Sequence, residues 1–327
     1  MTEPHLRPAG AARPVAIVTG ASRGLGFLLA RELADRGYDL VVNARSADAL
    51  AETAAGLRSH GVEVVDVAGD ISDESVAQHV VDTARERFGR VDALVANAGI
   101  IQVGPAQAMR TADFATAMDV MFWGVVHPVL TAMPALRESR GRILVITSIG
   151  GKLPAPHLLP YVAAKHAAVG FAEGLRIEAA RDGVSVTVGV PGLMRTGSPR
   201  NALFTGNRSA EHAWFAVADS LPLLSMDAGQ AAKRLIAATM RGAPEIILTP
   251  AAKLGARLHG LAPATMLRLL TLTDRLLPSD GTPRTARPGH AVAGDGPVLR
   301  AVTTLTRNAA QQTGQYTDST PDPGGRT

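Results

Sequence analysis

From residue 15 to residue 248 the chain alternates short apolar runs with longer stretches of helical periodicity, and few folds accept that pattern. The runs at 15–19, 40–43, 63–67, 91–96, 143–147, 184–190 and 245–248 have strand length and are rich in Val, Ile, Leu and Ala. Between them, 26–36, 47–59, 73–88, 111–136, 161–181 and 230–240 read as helices; in the first, Leu28, Leu29 and Leu33 share one face and Gly37 provides the stop. Strands that are apolar throughout are buried on both faces, and helices between consecutive strands provide the cover. The expectation is an α/β fold, a doubly wound parallel sheet of seven strands with helices on both faces. Ligands of such sheets bind beyond the carboxyl ends of the strands, where the strand order reverses.

Each of those ends carries residues suited to a nucleotide. Behind the first strand stands Thr19-Gly20-Ala21-Ser22-Arg23-Gly24-Leu25-Gly26, a turn whose glycines let backbone amides and a helix N-terminus approach a pyrophosphate. Behind the second stands Asn43-Ala44-Arg45-Ser46. A carboxylate there would bind a ribose 2′-hydroxyl, whereas Arg45 together with Arg23 suits a 2′-phosphate, so NADP is expected over NAD. Either arginine also fits a solvated surface charge. Asp70-Ile71 follows the third strand, placed to bond and cover an adenine, and Asn97-Ala98-Gly99 follows the fourth, a short turn on which a cofactor can lie.

The fifth strand ends at Thr147-Ser148, and the next helix is expected to open at Tyr161 with Lys165 four residues on. Residues i and i+4 share a helix face, so phenol and ammonium point the same way. A phenol titrates near 10, and a neighbouring cation favours its phenolate and brings it toward the working range of an acid-base group.

Together these residues resemble the short-chain dehydrogenase/reductase family over roughly residues 14–250. Thr19 to Gly26 matches its TGxxxGxG turn, Asp70 its adenine-contacting aspartate, and Asn97-Ala98-Gly99 its NAG turn. Ser148, Tyr161 and Lys165 match its catalytic residues in order and spacing, and Pro191-Gly192 with Thr196 matches its PG…T segment, which contacts the nicotinamide carboxamide. The resemblance implies a Rossmann-type fold, NADP (NADPH) as cofactor, and a hydride passing between its nicotinamide and a substrate carbon. Ser148 and Tyr161 would hold the substrate oxygen, Tyr161 would move the proton, and Lys165 would lower the Tyr161 pKa and hold the ribose. It also implies a homodimer or homotetramer.

One position departs from the family. Its fourth helix usually carries an asparagine for a proton relay in a DVNxxG context; here the run is Asp119-Val120-Met121-Phe122-Trp123-Gly124, which puts a thioether in that place. The expected activity is carbonyl and alcohol interconversion, and the alternative is a nucleotide-binding regulatory or scaffold protein with weak or no catalysis.

The rest of the chain narrows partners. A net charge of +4 comes from scattered arginines, and aromatics make up 4% of residues, so no nucleic-acid surface is expected. The histidines show no metal-ligand spacing, and no metal is expected; His157 and His166, beside the catalytic segment, read as packing or surface residues. There is no cysteine. Residues 1–13 lack the apolar run of a signal peptide and read as a flexible arm, no spanning helix is expected, and a cytoplasmic location is. Residues 196–222 read as a substrate lid whose Leu203, Phe204, Trp214 and Phe215 either face an apolar carbonyl or alcohol substrate or pack on the core. Residues 251–277 form an amphipathic extension, split by Pro263, that either packs on the protein or a sister subunit or lies on a membrane; 278–327 read as a disordered tail without a role in catalysis.

Overall fold

A computed structural model of the chain describes residues 12–220, 225–279, 281–293, 309 and 313–314. The arm expected at 1–13 lies outside these except for its end, as do residues 221–222 of the lid and most of the expected tail.

The first half alternates strand and helix: β1 (Val15–Thr19), α1 (Gly24–Asp35), β2 (Asp39–Ala44), α2 (Ala47–Arg58), β3 (Val64–Ala68), α3 (Glu74–Phe88) and β4 (Ala93–Ala96). A two-residue β5 (Gln102–Val103) precedes a long helix built from α4 (Thr111–Met118), a π turn over Asp119–Trp123 and α5 (Gly124–Ser139). Then come β6 (Arg142–Ile146), α6 (Leu159–Ala179), β7 (Ser185–Val190), β8 (Leu193–Arg195), β9 (Leu203–Phe204), α7 (Arg208–Ser220), β10 (Ser225–Asp227), α8 (Ala228–Met240) and β11 (Glu245–Ile247). The described chain closes with α9 (Pro250–Leu261), α10 (Pro263–Asp274) and β12 (Arg287–Pro288).

Seven strands form one parallel sheet in the order β11-β7-β6-β4-β1-β2-β3. Its central strands are buried along their whole length, β1 and β4 without an exposed residue, which is why they read as uninterrupted apolar runs. One core, around Val80, Val129 and Leu136, lies under α3 and α5; the other, around Leu29, Leu50 and Leu235, lies under α1, α2 and α8. The order reverses between β1 and β4, so the crevice expected of a doubly wound sheet opens beyond their carboxyl ends.

Two expectations change, the start of the catalytic helix and the tail, and one long helix bears on a third. The catalytic helix opens two residues early, at Leu159, because Pro160 in its first turn has a backbone already preset for helix. The helix over Thr111–Ser139 runs 29 residues and is long and apolar enough to cross a membrane, but 61% of its most apolar window is buried inside the protein, which fits a core helix. The tail is not featureless: Arg287–Pro288 pair antiparallel with β9, and β5, β9 and β12 make a small second sheet. Backbone pairing orders this segment although its side chains give it little to bury.

Candidate active site

The crevice is a cavity of about 1110 Å³ running from the glycine-rich turn to the lid. At its deep end Gly26 permits the closest approach: a Cβ there would stand 2.0 Å from the Gly20 carbonyl oxygen, so α1 could not seat against the turn with any larger residue. Thr19 and Asn97 join the two strands that flank the switch point. The Thr19 hydroxyl oxygen accepts from the Asn97 and Ala98 amides at 3.0 and 3.2 Å, and Asn97 Nδ2 donates to the Thr19 and Gly20 carbonyls at 3.1 and 3.2 Å.

The sequence candidates therefore divide by what their side chains already hold. Gly20, Ser22, Arg23, Gly24, Leu25, Gly26, Asn43, Arg45, Ser46, Asp70, Ile71, Asn97, Ala98 and Gly99 all border the cavity. Asn43, however, is buried with Nδ2 bonded to the Val67 and Gly69 carbonyls at 2.9 and 3.2 Å, so its amide ties β2 to β3. Asp70 Oδ1 accepts from the Ser72 amide and hydroxyl at 3.0 and 2.8 Å. Arg23 and Arg45 are near enough to repel each other: partial desolvation, then the like charge of Arg45, hold the Arg23 guanidinium below its ordinary pKa. Two cations facing one crevice suit an anion.

At the other end, Ser148 leaves β6 in extended conformation, its Oγ accepting from the Gly150 amide at 3.1 Å. Tyr161 borders the same cavity from the first turn of α6, with Ser148 near enough to act on its phenol. Lys165 is buried below it, with Nζ donating to the Ile146 carbonyl at 2.8 Å and standing 5.9 Å from the Tyr161 ring centre. Burial pushes the Tyr161 phenol up, and the neighbouring Ser148 hydroxyl only partly opposes it. The expected lowering by Lys165 is not what this geometry gives, because the ammonium is itself desolvated and its pKa falls to about 8. Pro191, Gly192 and Thr196 complete this wall; Pro191 accepts from the Ile149 amide at 2.9 Å, and the Thr196 hydroxyl accepts from the Ser198 amide at 3.2 Å. Met121, fully buried in the π turn, packs beside Gly99: Met121 Cγ and Lys165 Nζ each lie 3.8 Å from where a Gly99 Cβ would stand.

The lid aromatics split. Leu203, Trp214 and Phe215 border the cavity, while Phe204 is wholly buried against Phe215 and His212. Sequence reasoning missed the polar residues behind them. His157, held at a φ of +61°, places Nδ1 2.8 Å from Glu211 Oε1 and Nε2 3.7 Å from Asp274 Oδ1; Trp214 Nε1 donates to Glu211 Oε2 at 2.7 Å. This network joins the loop before α6 to α7 and α10. Asp219, also in α7 and bordering the cavity, has a buried Oδ2 without a partner among the described residues, and burial pushes its carboxyl up to about 8. Thr313, from the expected tail, reaches the crevice as well: its carbonyl accepts from the Gly24 amide at 2.7 Å and its hydroxyl donates to the Thr196 carbonyl at 2.8 Å. No periodicity marks these residues, and the bonds that join His157 to Glu211 and Thr313 to Gly24 span 54 and 289 positions.

A family model described as short chain dehydrogenase matches residues 14–203. The 11-beta-hydroxysteroid dehydrogenase A of Sesamum indicum is 40% identical over 184 residues, 56% of this chain and 53% of that protein, so the chain spans about half the length of this curated relative. Among solved structures, an alcohol dehydrogenase from the archaeon Thermococcus sibiricus complexed with 5-hydroxy-NADP aligns with a TM-score of 0.60 at 26% identity, covering 72% of this chain and 96% of that one. A variant of actinorhodin polyketide ketoreductase with NADPH aligns with a TM-score of 0.66 at 28% identity, covering 73% and 97%.

Proposed function

This chain belongs to the short chain dehydrogenase family, and we propose that it is an NADPH-preferring oxidoreductase interconverting a carbonyl and a secondary alcohol on an apolar small molecule. The observation that carries the reading is one cavity bordered by Ser148, Tyr161 and Lys165 at one end and by Arg23 and Arg45 at the other. The residues fit the cofactor. The mutual repulsion of the two guanidiniums is relieved by a phosphate, and the amide-rich turn at α1 suits a diphosphate. NADP-type ligands in both structural neighbours point the same way.

When bound, the nicotinamide would supply the hydride in reduction and accept it in oxidation. The chain's own residues handle the oxygen. Ser148 Oγ and the Tyr161 hydroxyl border the same end of the cavity and offer two hydrogen-bond positions to a carbonyl oxygen. In reduction the Tyr161 proton would pass to that oxygen, and the phenolate formed would face the Lys165 ammonium, which stands 5.9 Å from the ring centre. In oxidation the same proton returns. Ile101, Leu158, Leu203, Trp214 and Phe215 line the cavity with apolar surface, which favours an apolar substrate.

The test is fluorescence titration with NADPH and NADH, followed by turnover on a panel of ketones, aldehydes and quinones. Native protein is expected to prefer NADPH; Arg45→Ala weakens NADPH by roughly 10- to 100-fold, the worth of a charge-assisted contact, and leaves NADH unchanged. Tyr161→Phe is expected to keep binding and lose turnover. Equal affinity for both nucleotides would remove the NADP assignment. Buried Met121 favours a second reading, a nucleotide-binding protein without useful catalysis, and tight binding with no turnover on any carbonyl would select it.

A further inference from the structure

The two helices that follow β11 are the least covered part of the described chain. α9 buries Ala252 alone, and α10 buries no residue. Seven of the eleven exposed large apolar side chains stand between Leu254 and Leu276. On α9, Leu254, Leu258 and Leu261 repeat at i, i+4 and i+7, so they form one stripe, and Leu261 is 85% exposed. On α10, Leu267, Leu269 and Leu272 are all about half exposed; Leu269 and Leu272, three residues apart, share a side, and Leu267 stands on another. Exposed apolar patches of this kind mark a partner or a membrane.

Charge selects between them. Lys253, Arg257, Arg268 and Arg275 are exposed on these helices or just past them. Asp274 is the sole acid from 250 to 277, and it turns toward His157. A second copy packed symmetrically on this face would bring the same cations against each other, whereas anionic lipid headgroups would neutralise them. The patch also runs to the cavity that holds Ser148 and Tyr161, whose border includes Thr273 and Leu277.

We propose that α9 and α10 seat the protein on an anionic lipid surface, with their leucines among the acyl chains, their arginines and lysine at the headgroups, and the mouth of the cavity beside the bilayer. An apolar ligand would then reach the cavity from the membrane without crossing water.

The experiment uses the full chain, whose lack of cysteine allows a single label. Leu261→Cys and, as a control just past the end of α2, Ser59→Cys are each labelled with an environment-sensitive dye. Each is mixed with vesicles of phosphatidylcholine alone or with phosphatidylglycerol, and flotation and emission are read together. Expected are flotation with the anionic vesicles, a blue shift at position 261 and none at 59. Lys253→Glu with Arg257→Glu should lower the floated fraction on the order of tenfold or more, with the thermal melt unchanged. No flotation with anionic vesicles, or an unshifted dye at 261, would overturn the proposal. So would equal binding to both vesicle types, or a dimer dissociated by Leu261→Ser with Leu269→Ser, which would assign the face to a second copy.

Discussion

The Nζ of Lys165 donates to the carbonyl oxygen of Ile146, the last residue of β6, at 2.8 Å. That bond anchors an ammonium inside the protein under the residue on which the proposed chemistry depends. Burial lowers its pKa from 10.5 to about 8, so the folded protein releases this proton before the unfolded chain does. The cost of the buried charge is present in full below about 8 and is relieved as pH rises toward 10.5. Native protein should therefore gain stability relative to Lys165→Met by on the order of 3 kcal/mol across that window. Denaturant melts of both proteins from pH 7 to 10.5 check it; parallel curves would refute it.

Asp219 titrates in the opposite sense. Its folded pKa, about 8, lies above the ordinary 3.8, so its contribution is complete below that ordinary value and is lost as pH rises to about 8. Native protein should lose a few kcal/mol relative to Asp219→Asn between pH 4 and 8, with the difference constant above that. Thermal melts of the two proteins in matched buffers decide the matter.

Removing one partner of the His157–Glu211 pair leaves the other polar and enclosed, for Glu211 is wholly buried. Glu211→Gln is expected to destabilise by about 3 kcal/mol. Because Trp214 donates to the same carboxylate, its emission should shift to the red. If substrate turnover is found, KM should rise more than kcat falls, since the network holds the lid and not the reacting atoms.

Met121→Asn would put an amide beside Lys165 and Gly99. The expected outcome is a higher kcat at unchanged cofactor affinity, because an amide donates and accepts where the thioether does neither well. Steady-state kinetics with either nucleotide tests it, and a lower or equal rate with the fold intact would show that the proton path needs no group at this position.

What could be read in the sequence follows from the range of the interactions involved. The central strands are legible because burial on both faces makes them apolar runs, and Ser148, Tyr161 and Lys165 because strand end and helix turn fix their spacing locally. Asn43, Asp70 and Asn97 were found as strand-end residues, but their hydrogen bonds to Val67, Ser72 and Thr19 could not be read from residue type. Two-residue strands such as β5, β9 and β12 are too short to show a period. The Glu211 network escaped because each of its residues, read alone, is an ordinary surface polar; only the packing of α7 and α10 makes them neighbours. The direction of the Tyr161 shift depends on the desolvation of Tyr161 and Lys165, which the spacing of the two residues does not show.

Thr313 ties two walls of the crevice together. Its carbonyl takes the Gly24 amide and its hydroxyl reaches Thr196, so one residue spans from the glycine-rich turn to the segment behind β7. A nucleotide that claims that amide does not add a hydrogen bond to the protein; it replaces one. Measured affinity is then a difference between two nearly equivalent bonds, lowered by the fraction of molecules in which the chain's own carbonyl holds the place.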